Sequence, residues 1–223
     1  MKGILILILA LLLKGCTFEH TSGILEIDSS KLEPQTLIVE AKSKYNISKD
    51  RSYLDPSKLY TIVDETIREF DIDIHHRNNL NLIFETLIAE TKAGQFSFSK
   101  AAKKYKNYGI AQMKLTNAEF LKRYIKTVSK HDYHILMNLR NNDKSEEWNL
   151  MNNIRYSVAL CLIHYYQRDK NISKKAHCLE QRAKIWKKHY NTSKGLGEPE
   201  YYVERVQNYF KDYIKSMDKN MNH

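Results

Sequence analysis

Apolar side chains recur at helical spacing through most of the chain after residue 55, and few stretches alternate between apolar and polar positions. A broad apolar stripe predicts one helix from about Asn79 to Lys92, which Gly94 would end. The most apolar segment after the N-terminal leader, residues 153–166, predicts a central buried helix. Because helical spacing dominates, we expect an all-α or mostly α domain.

Residues that favour helix ends place the other elements. Asp55-Pro56 predicts a helix start, with Asp55 as the N-cap and Pro56 at the first helical position. Thr116 and Glu119 have the spacing of a capping box, and Ser145 and Ser173 mark two later starts. The last helix begins at Pro199.

We therefore predict a domain over residues 56–215 and a C-terminal tail over 216–223. The first helix buries Leu59, Ile62, Val63, Ile67 and Phe70, and the last carries Tyr202, Val206, Tyr209, Tyr213 and Met217.

The first 15 residues have the features of an export signal. Lys2 precedes an apolar run from Ile4 to Leu13, which is too short to span a bilayer of ~30 Å as a helix. The run ends in a sequence that resembles a bacterial lipobox, which implies that Cys16 is lipidated and anchors the protein to a membrane. Lys14 departs from that pattern, so ordinary cleavage and an uncleaved anchor stay open. Residues 16–55 then form a membrane-proximal spacer.

One acidic residue stands where a general acid is expected. Glu90 lies in the last turn of the helix over residues 79–92, three residues after Leu87 and on or beside the buried face. Partial burial and the negative end of the helix dipole both favour a protonated carboxyl group. A glutamate whose pKa is raised in this way can donate a proton near neutral pH. The alternative is a boundary residue whose charge simply reaches water.

Three blocks of the sequence carry a resemblance to a known family. Glu90-Thr91, the run Gly109–Met113 and the pair Tyr190-Asn191 with the glycines after it occur in the order found in lytic transglycosylases and goose-type lysozymes. Thr91 stands where the family usually has serine, and the segment before Gly109 is about four residues longer than usual. The resemblance covers roughly residues 56 to 215 and implies a lysozyme-like α-helical domain with a single cleft.

The resemblance also implies an activity and a substrate. Lytic transglycosylases cleave the glycan strands of peptidoglycan between N-acetylmuramic acid and N-acetylglucosamine with one glutamate as acid and then base, and Glu90 would take that role. The resemblance implies that Thr91 binds substrate and that Gln112 and Met113 line the cleft. Tyr190 and Asn191 would orient Glu90 or the bound sugar. The expected location is the cell envelope or periplasm, on the outer membrane where the host has two, with an envelope protein complex as a possible partner. A hydrolytic muramidase and a non-catalytic wall-binding lipoprotein are the alternatives.

Ordinary glycosidases need a second carboxylate, and the matched blocks contain no other obvious candidate. The acidic residues between the blocks are Glu119, Asp143, Glu146 and Glu147.

Other chemistries have weaker support in the sequence. The net charge of +10 suits an anionic partner, but the export signal argues against nucleic acid. His131 and His134 have metal-ligand spacing without an obvious third ligand, so we predict no metal and no cofactor. Cys161 and His164 share a helix face, and we expect a buried cysteine rather than a nucleophile. A disulfide between Cys161 and Cys178 stays open.

Overall fold

The computed structural model describes residues 56–94, 106–192, 195 and 197–221, with side chains in the last helix described as far as residue 213. Eight α-helices and one two-stranded sheet make up most of this part of the chain, which confirms the mostly α class. The predicted signal peptide, Cys16 and the spacer lie outside the described residues. The elements are α1 (Pro56–Ile67), α2 (His76–Thr91), β1 (Asn107–Tyr108), β2 (Met113–Lys114), α3 (Leu115–Val128), α4 (Lys130–Leu139), α5 (Glu146–Asn152), α6 (Ile154–Arg168), α7 (Leu179–Trp186) and α8 (Pro199–Met221).

The most apolar segment forms the central helix, as predicted. Asn153 caps α6 by accepting a hydrogen bond from the Tyr156 N–H. Of the first twelve residues of this helix, eleven are buried. α1, α3, α4, α5 and the turn after α7 all pack against α6, while α8 packs against α7 and α2. A helix surrounded on all sides is apolar all round, which is why α6 shows no strong polar face.

Several predicted boundaries agree with the structure. α1 begins at Pro56, α8 begins at Pro199, and Ser145 caps α5 by accepting a hydrogen bond from the Trp148 N–H at 3.1 Å. Leu59, Val63, Ile67 and Phe70 are buried as predicted, and Ile62 is partly buried.

Two predicted helix starts were wrong, and the last helix is longer than its named residues. α3 starts at Leu115 with Lys114 as N-cap and no side-chain cap, because strand β2 leads directly into the helix and leaves Thr116 inside it. Ser173 lies in a short 3₁₀ turn, Ile172–Lys175, and α7 starts only at Leu179. α8 continues to Met221, through most of the segment predicted as a tail. Among the described residues, none of the helices combines the length and apolarity needed to cross a bilayer.

Candidate active site

Glu90 lies in the last turn of α2, just before the chain turns sharply at the end of the helix. The N–H groups of Lys92 and Ala93 donate to the carbonyls of Ile88 and Leu87, and both residues have left-handed backbone angles. The turn therefore begins two residues before Gly94, which continues it with a φ of 98°. This geometry leaves Glu90 partly exposed, although the eight residues before it are all buried.

The Glu90 carboxyl group has the electrostatics of an acid that works near neutral pH. Burial raises its pKa from 4.5 to about 7. A hydrogen bond from the Trp186 indole N–H, 2.8 Å from Oε1, and the positive charge of Arg205 act in the opposite direction, because both stabilise the carboxylate. A pKa close to neutral allows the same group to donate a proton and then accept one.

Trp186 connects Glu90 to an aromatic surface on α8. Its ring is almost fully buried and stacks on Tyr201 with ring centroids 6.4 Å apart and an interplanar angle of 25°. The Tyr201 side chain is 38% exposed, so one part of this aromatic surface faces solvent beside the acid. The Arg205 guanidinium lies over the Tyr201 ring, 4.7 Å from its centroid. We call Trp186, Tyr201 and Arg205 the aromatic wall.

The second sequence block forms the tight loop of a β-hairpin next to Glu90. β1 and β2 pair in antiparallel register, Asn107 with Lys114 and Tyr108 with Met113. Gly109 opens the loop with a φ of 70°, and a Cβ added there would lie 1.7 Å from the carbonyl oxygen of Leu150. Only glycine fits at this point, because both the backbone angle and the close approach of α5 exclude a side chain.

Gln112 closes the hairpin loop. Its backbone N–H and its side-chain Nε2 both donate to the Gly109 carbonyl, at 3.1 and 2.8 Å. Its side chain is partly buried. Met113, the next residue, is 3% exposed and belongs to the core. Of this pair, Gln112 has surface near the site, whereas Met113 supports the loop from inside rather than lining a cleft.

Thr91 holds the loop against the end of α2. Its hydroxyl donates to the carbonyls of Leu87 and Ile110, each at 3.0 Å, and accepts the Gly94 N–H at 2.8 Å. The side chain is fully buried between the end of α2 and the hairpin loop. Thr91 therefore positions Glu90 and the hairpin loop relative to each other.

Tyr190 holds the same loop from the other side. It lies in a π-helical turn, Lys187–Asn191, and its hydroxyl donates to the Ala111 carbonyl at 2.5 Å. Its ring packs against Tyr165 and His164, at centroid distances of 5.4 and 4.9 Å. Burial raises the pKa of the Tyr190 hydroxyl well above its usual range, so it stays protonated and keeps donating. Thr91 of the first sequence block and Tyr190 of the third thus both hold the second block, the hairpin loop, in place.

Asn191 shapes the turn that leads into α8. Its Nδ2 donates to the Gly197 carbonyl at 2.8 Å. A Cβ on Gly195 would lie 1.5 Å from Asn191 Oδ1, and one on Gly197 would lie 2.7 Å from the Trp186 ring. Lys187 Nζ donates to both glycine carbonyls, at 3.0 and 2.8 Å. The Asn191 amide is thus used to set the path of the chain beside Trp186.

A buried ion pair fixes the helices that carry the acid and its donor. Arg182 on α7 donates to both oxygens of Glu85 on α2, each at 2.7 Å, and the Tyr202 hydroxyl on α8 donates to Glu85 Oε2 at 3.2 Å. Both charged side chains are almost fully buried. Arg182 also donates to the Ala176 carbonyl at 3.2 Å. Because Glu85 and Glu90 share α2, this network sets the position of Trp186 relative to Glu90.

The other carboxylates considered from the sequence have structural or surface positions. Glu146 accepts hydrogen bonds from Tyr156, Lys122 and Arg140, at 2.6, 2.9 and 3.2 Å. Burial raises its pKa, but these partners outweigh burial and leave the pKa below its usual value. Glu119 is half exposed and also contacts Lys122. Asp143 and Glu147 are exposed. Glu146 is therefore an ionised structural carboxylate and does not act as a second acid.

Cys161 and His164 do not form a nucleophilic pair. Cys161 is a free, fully buried thiol whose pKa is raised by burial, so the Cys161–Cys178 disulfide is not formed. Burial lowers the pKa of His164 to about 4, and its Nε2 donates to the His189 carbonyl at 2.8 Å. A neutral buried thiol beside a structural histidine has no route to a substrate.

Sequence reasoning predicted the raised pKa of Glu90 but missed the groups that set its value. Trp186, Tyr201 and Arg205 all fall in or next to the third block, but nothing in the sequence indicated which of them contacts Glu90. Glu85 and Arg182, which are 97 residues apart, were also missed. A glutamate in the middle of an apolar stripe was the available signal, because a buried carboxylate requires a charged partner.

Comparison of the chain with protein-family models, with curated proteins and with solved structures finds no match.

Proposed function

We propose that this chain is a peptidoglycan lytic transglycosylase on a lysozyme-like α-helical domain with a single cleft. The observation that supports the proposal best is Glu90 itself, a partly exposed residue whose carboxyl group has a pKa of about 7. That carboxyl group accepts a hydrogen bond from the Trp186 indole N–H where the three sequence blocks come together. The order and composition of these blocks resemble those of the family. Hydrogen bonds from Thr91 and Tyr190 to the hairpin loop join the three blocks beside Glu90.

The reaction needs one group that works in both directions. Protonated Glu90 donates its proton to the oxygen that links N-acetylmuramic acid to N-acetylglucosamine, and the bond from the muramyl C1 to that oxygen breaks. The resulting Glu90 carboxylate then removes the proton from the muramyl C6 hydroxyl, whose oxygen bonds to C1. The products are a free 4-hydroxyl and a 1,6-anhydromuramyl end, and Glu90 is protonated again. No water enters the reaction.

The groups around Glu90 suit the two halves of this cycle. Burial favours the protonated form that starts the reaction, while the Trp186 N–H stabilises the carboxylate that forms halfway through. The exposed face of Tyr201 offers a flat apolar surface against which the C–H face of a pyranose ring packs. The net charge of +10 suits an anionic wall polymer.

The proposed location follows from the first 16 residues. An export signal ending at a lipidated Cys16 would tether the enzyme to a bacterial membrane facing the wall, with residues 16–55 as the spacer. These residues lie outside the described part of the chain, so the proposal rests on their sequence.

Product analysis tests the reaction type. Purified peptidoglycan sacculi are digested with the purified full-length chain, and the released muropeptides are weighed by mass spectrometry. A transglycosylase gives anhydromuramyl products, which are lighter by one water than the products of a muramidase. Hydrated products would assign the chain to the hydrolytic muramidases instead. Binding to sacculi with no cleavage at any pH tested would leave only the non-catalytic wall-binding lipoprotein.

A further inference from the structure

The loop between α1 and α2 meets the first turn of α4 at a cluster of metal-ligand side chains. A carboxylate oxygen from each of Asp71 and Asp132 and a ring nitrogen of His131 all lie within 4.8 Å of one another. His131 Nε2 is 3.9 Å from Asp71 Oδ1. The sequence did not indicate this cluster, because Asp71 is 61 residues from Asp132 and the neighbouring His134 is not part of it.

Among the three residues of the cluster, Asp132 gives the clearest indication that a ligand binds here. Its side chain is fully buried, and its Oδ1 accepts the Asp71 N–H at 2.8 Å. Its Oδ2 is also buried and has no hydrogen-bond partner. A buried carboxylate oxygen without a partner is unfavourable, and native proteins rarely leave one unsatisfied. A cation bound beside Asp132 would remove this cost.

Asp132 lies at the start of α4, beside the loop that carries Asp71. Its N–H donates to the Ser129 hydroxyl at the start of α4, so the side chain lies in the first turn of that helix.

We propose that Asp71, His131 and Asp132 form a binding site for a divalent transition-metal ion such as Zn²⁺, with water completing the coordination. One imidazole and two carboxylates are a donor set that suits zinc better than Ca²⁺ or Mg²⁺, which prefer oxygen ligands alone. In the tetrahedral geometry usual for zinc, bonds of about 2.0–2.2 Å place two ligand atoms about 3.4 Å apart. Asp71 and His131 are 74% and 62% exposed, so an ion can reach them and their side chains can turn through the roughly one ångström that separates the present arrangement from a bound one.

The site would act as a clamp. The loop that carries Asp71 leads directly into α2, the helix with Glu90 at its far end. Two further contacts already hold this loop, since His76 lies between Asp64 and Asp73 and forms hydrogen bonds with both. A metal bound to Asp71 and to two residues of α4 would fasten the start of α2 to the neighbouring helix. This inference does not depend on the proposed reaction.

Calorimetric titration tests the site directly. Zn²⁺ is titrated into the full-length chain after treatment with a chelator and removal of the chelator. We expect one equivalent to bind, and we expect Asp71→Asn and His131→Asn each to weaken binding by tenfold or more. His134→Asn is the matched control, because His134 is exposed on the same helix and outside the cluster. Both test residues are on the surface, so their variants fold even if Asp132→Asn does not.

Thermal unfolding gives a second readout on the same proteins. Zinc that binds the folded state raises the melting temperature of the wild type and of His134→Asn, and raises it less in the two cluster variants. The absence of saturable zinc binding to the wild type would overturn the proposal. Equal affinity in the wild type and both cluster variants would also overturn it, because the metal would then be held by other residues.

Discussion

At the scale of single residues, the proposed chemistry depends on how the Glu90 carboxyl group is balanced between its protonated and ionised forms. Burial pushes the pKa of Glu90 up, and Trp186 and Arg205 pull it down to about 7. The position of Glu90 at the end of an apolar stripe was enough to predict the raised pKa. The donor was not predictable, because Trp186 is 96 residues away and only the folded chain brings its N–H to Oε1.

Removing the Trp186 donor should raise the pKa of Glu90 further. Trp186→Phe keeps an aromatic ring but loses the N–H that stabilises the carboxylate. Since a hydrogen bond to a charged group contributes about 1.5–3 kcal/mol, we expect the alkaline limb of the pH–rate profile to move up by about one pH unit or more. The control is Trp148→Phe, because Trp148 is the only other tryptophan in the sequence and lies on α5. This variant should leave the alkaline limb of the pH–rate profile unchanged. An unmoved limb in Trp186→Phe would contradict the role given to this contact.

Glu90 should also make stability depend on pH. Its folded pKa of about 7 lies above its ordinary value of 4.5, so its favourable contribution is complete below pH 4.5 and is lost as the pH rises through 7. Glu90→Gln has no charge to bury, so at pH 8 it should be more stable than the wild type by about 2 kcal/mol, after allowance for partial exposure.

Urea unfolding at pH 5 and pH 8 measures this difference. The gain from Glu90→Gln should shrink as the pH falls from 8 to 5. Glu204→Gln, on the exposed face of α8, is the control and should change little at either pH. A gain that is equal at both values would mean that the Glu90 carboxyl group is not desolvated.

At the scale of elements, hydrophobic spacing predicted where most helices lie, and side-chain partners decided where they end. α1, α5, α6 and α8 begin where their sequence signals place them. The Thr116 capping box failed because the hairpin delivers the chain to α3 at Leu115, and this tertiary constraint overrides a local cap. Thr91 and Met113 were predicted as substrate-binding residues from the resemblance, and the structure shows both side chains buried, Thr91 at the end of α2 and Met113 in β2.

The Glu85–Arg182 pair should be the most costly contact between elements to break. Arg182→Met leaves the Glu85 carboxylate buried without a charged partner, and we expect a loss of about 3–5 kcal/mol in the free energy of unfolding. The double variant Glu85→Leu with Arg182→Met should recover part of that loss, because no charge is then left unpaired. The surface pair Glu69–Arg155 is the control, since Arg155→Met should cost about 0–1 kcal/mol. Additive losses in the double variant, measured by urea unfolding, would contradict this account.

At the scale of the whole molecule, an all-α class followed from composition and spacing alone, and the structure agrees. The arrangement of the three sequence blocks around Glu90 was expected from the resemblance, and the contacts of Thr91 and Tyr190 with one hairpin loop supply a physical reason for it. The ion pair and the aromatic wall could not be predicted, because each joins elements far apart in the chain through side chains that are individually ordinary.

The most direct test of the account is the release of soluble muropeptides from purified sacculi by the wild type, Glu90→Gln and Glu204→Gln at pH 6, where Glu90 is mostly protonated. We expect the wild type and Glu204→Gln to release them at equal rates. We expect Glu90→Gln, which keeps the shape of the side chain but cannot transfer a proton, to be slower by on the order of 10³-fold. Release by Glu90→Gln at the wild-type rate would contradict the central proposal that Glu90 acts as the acid and base of a transglycosylase.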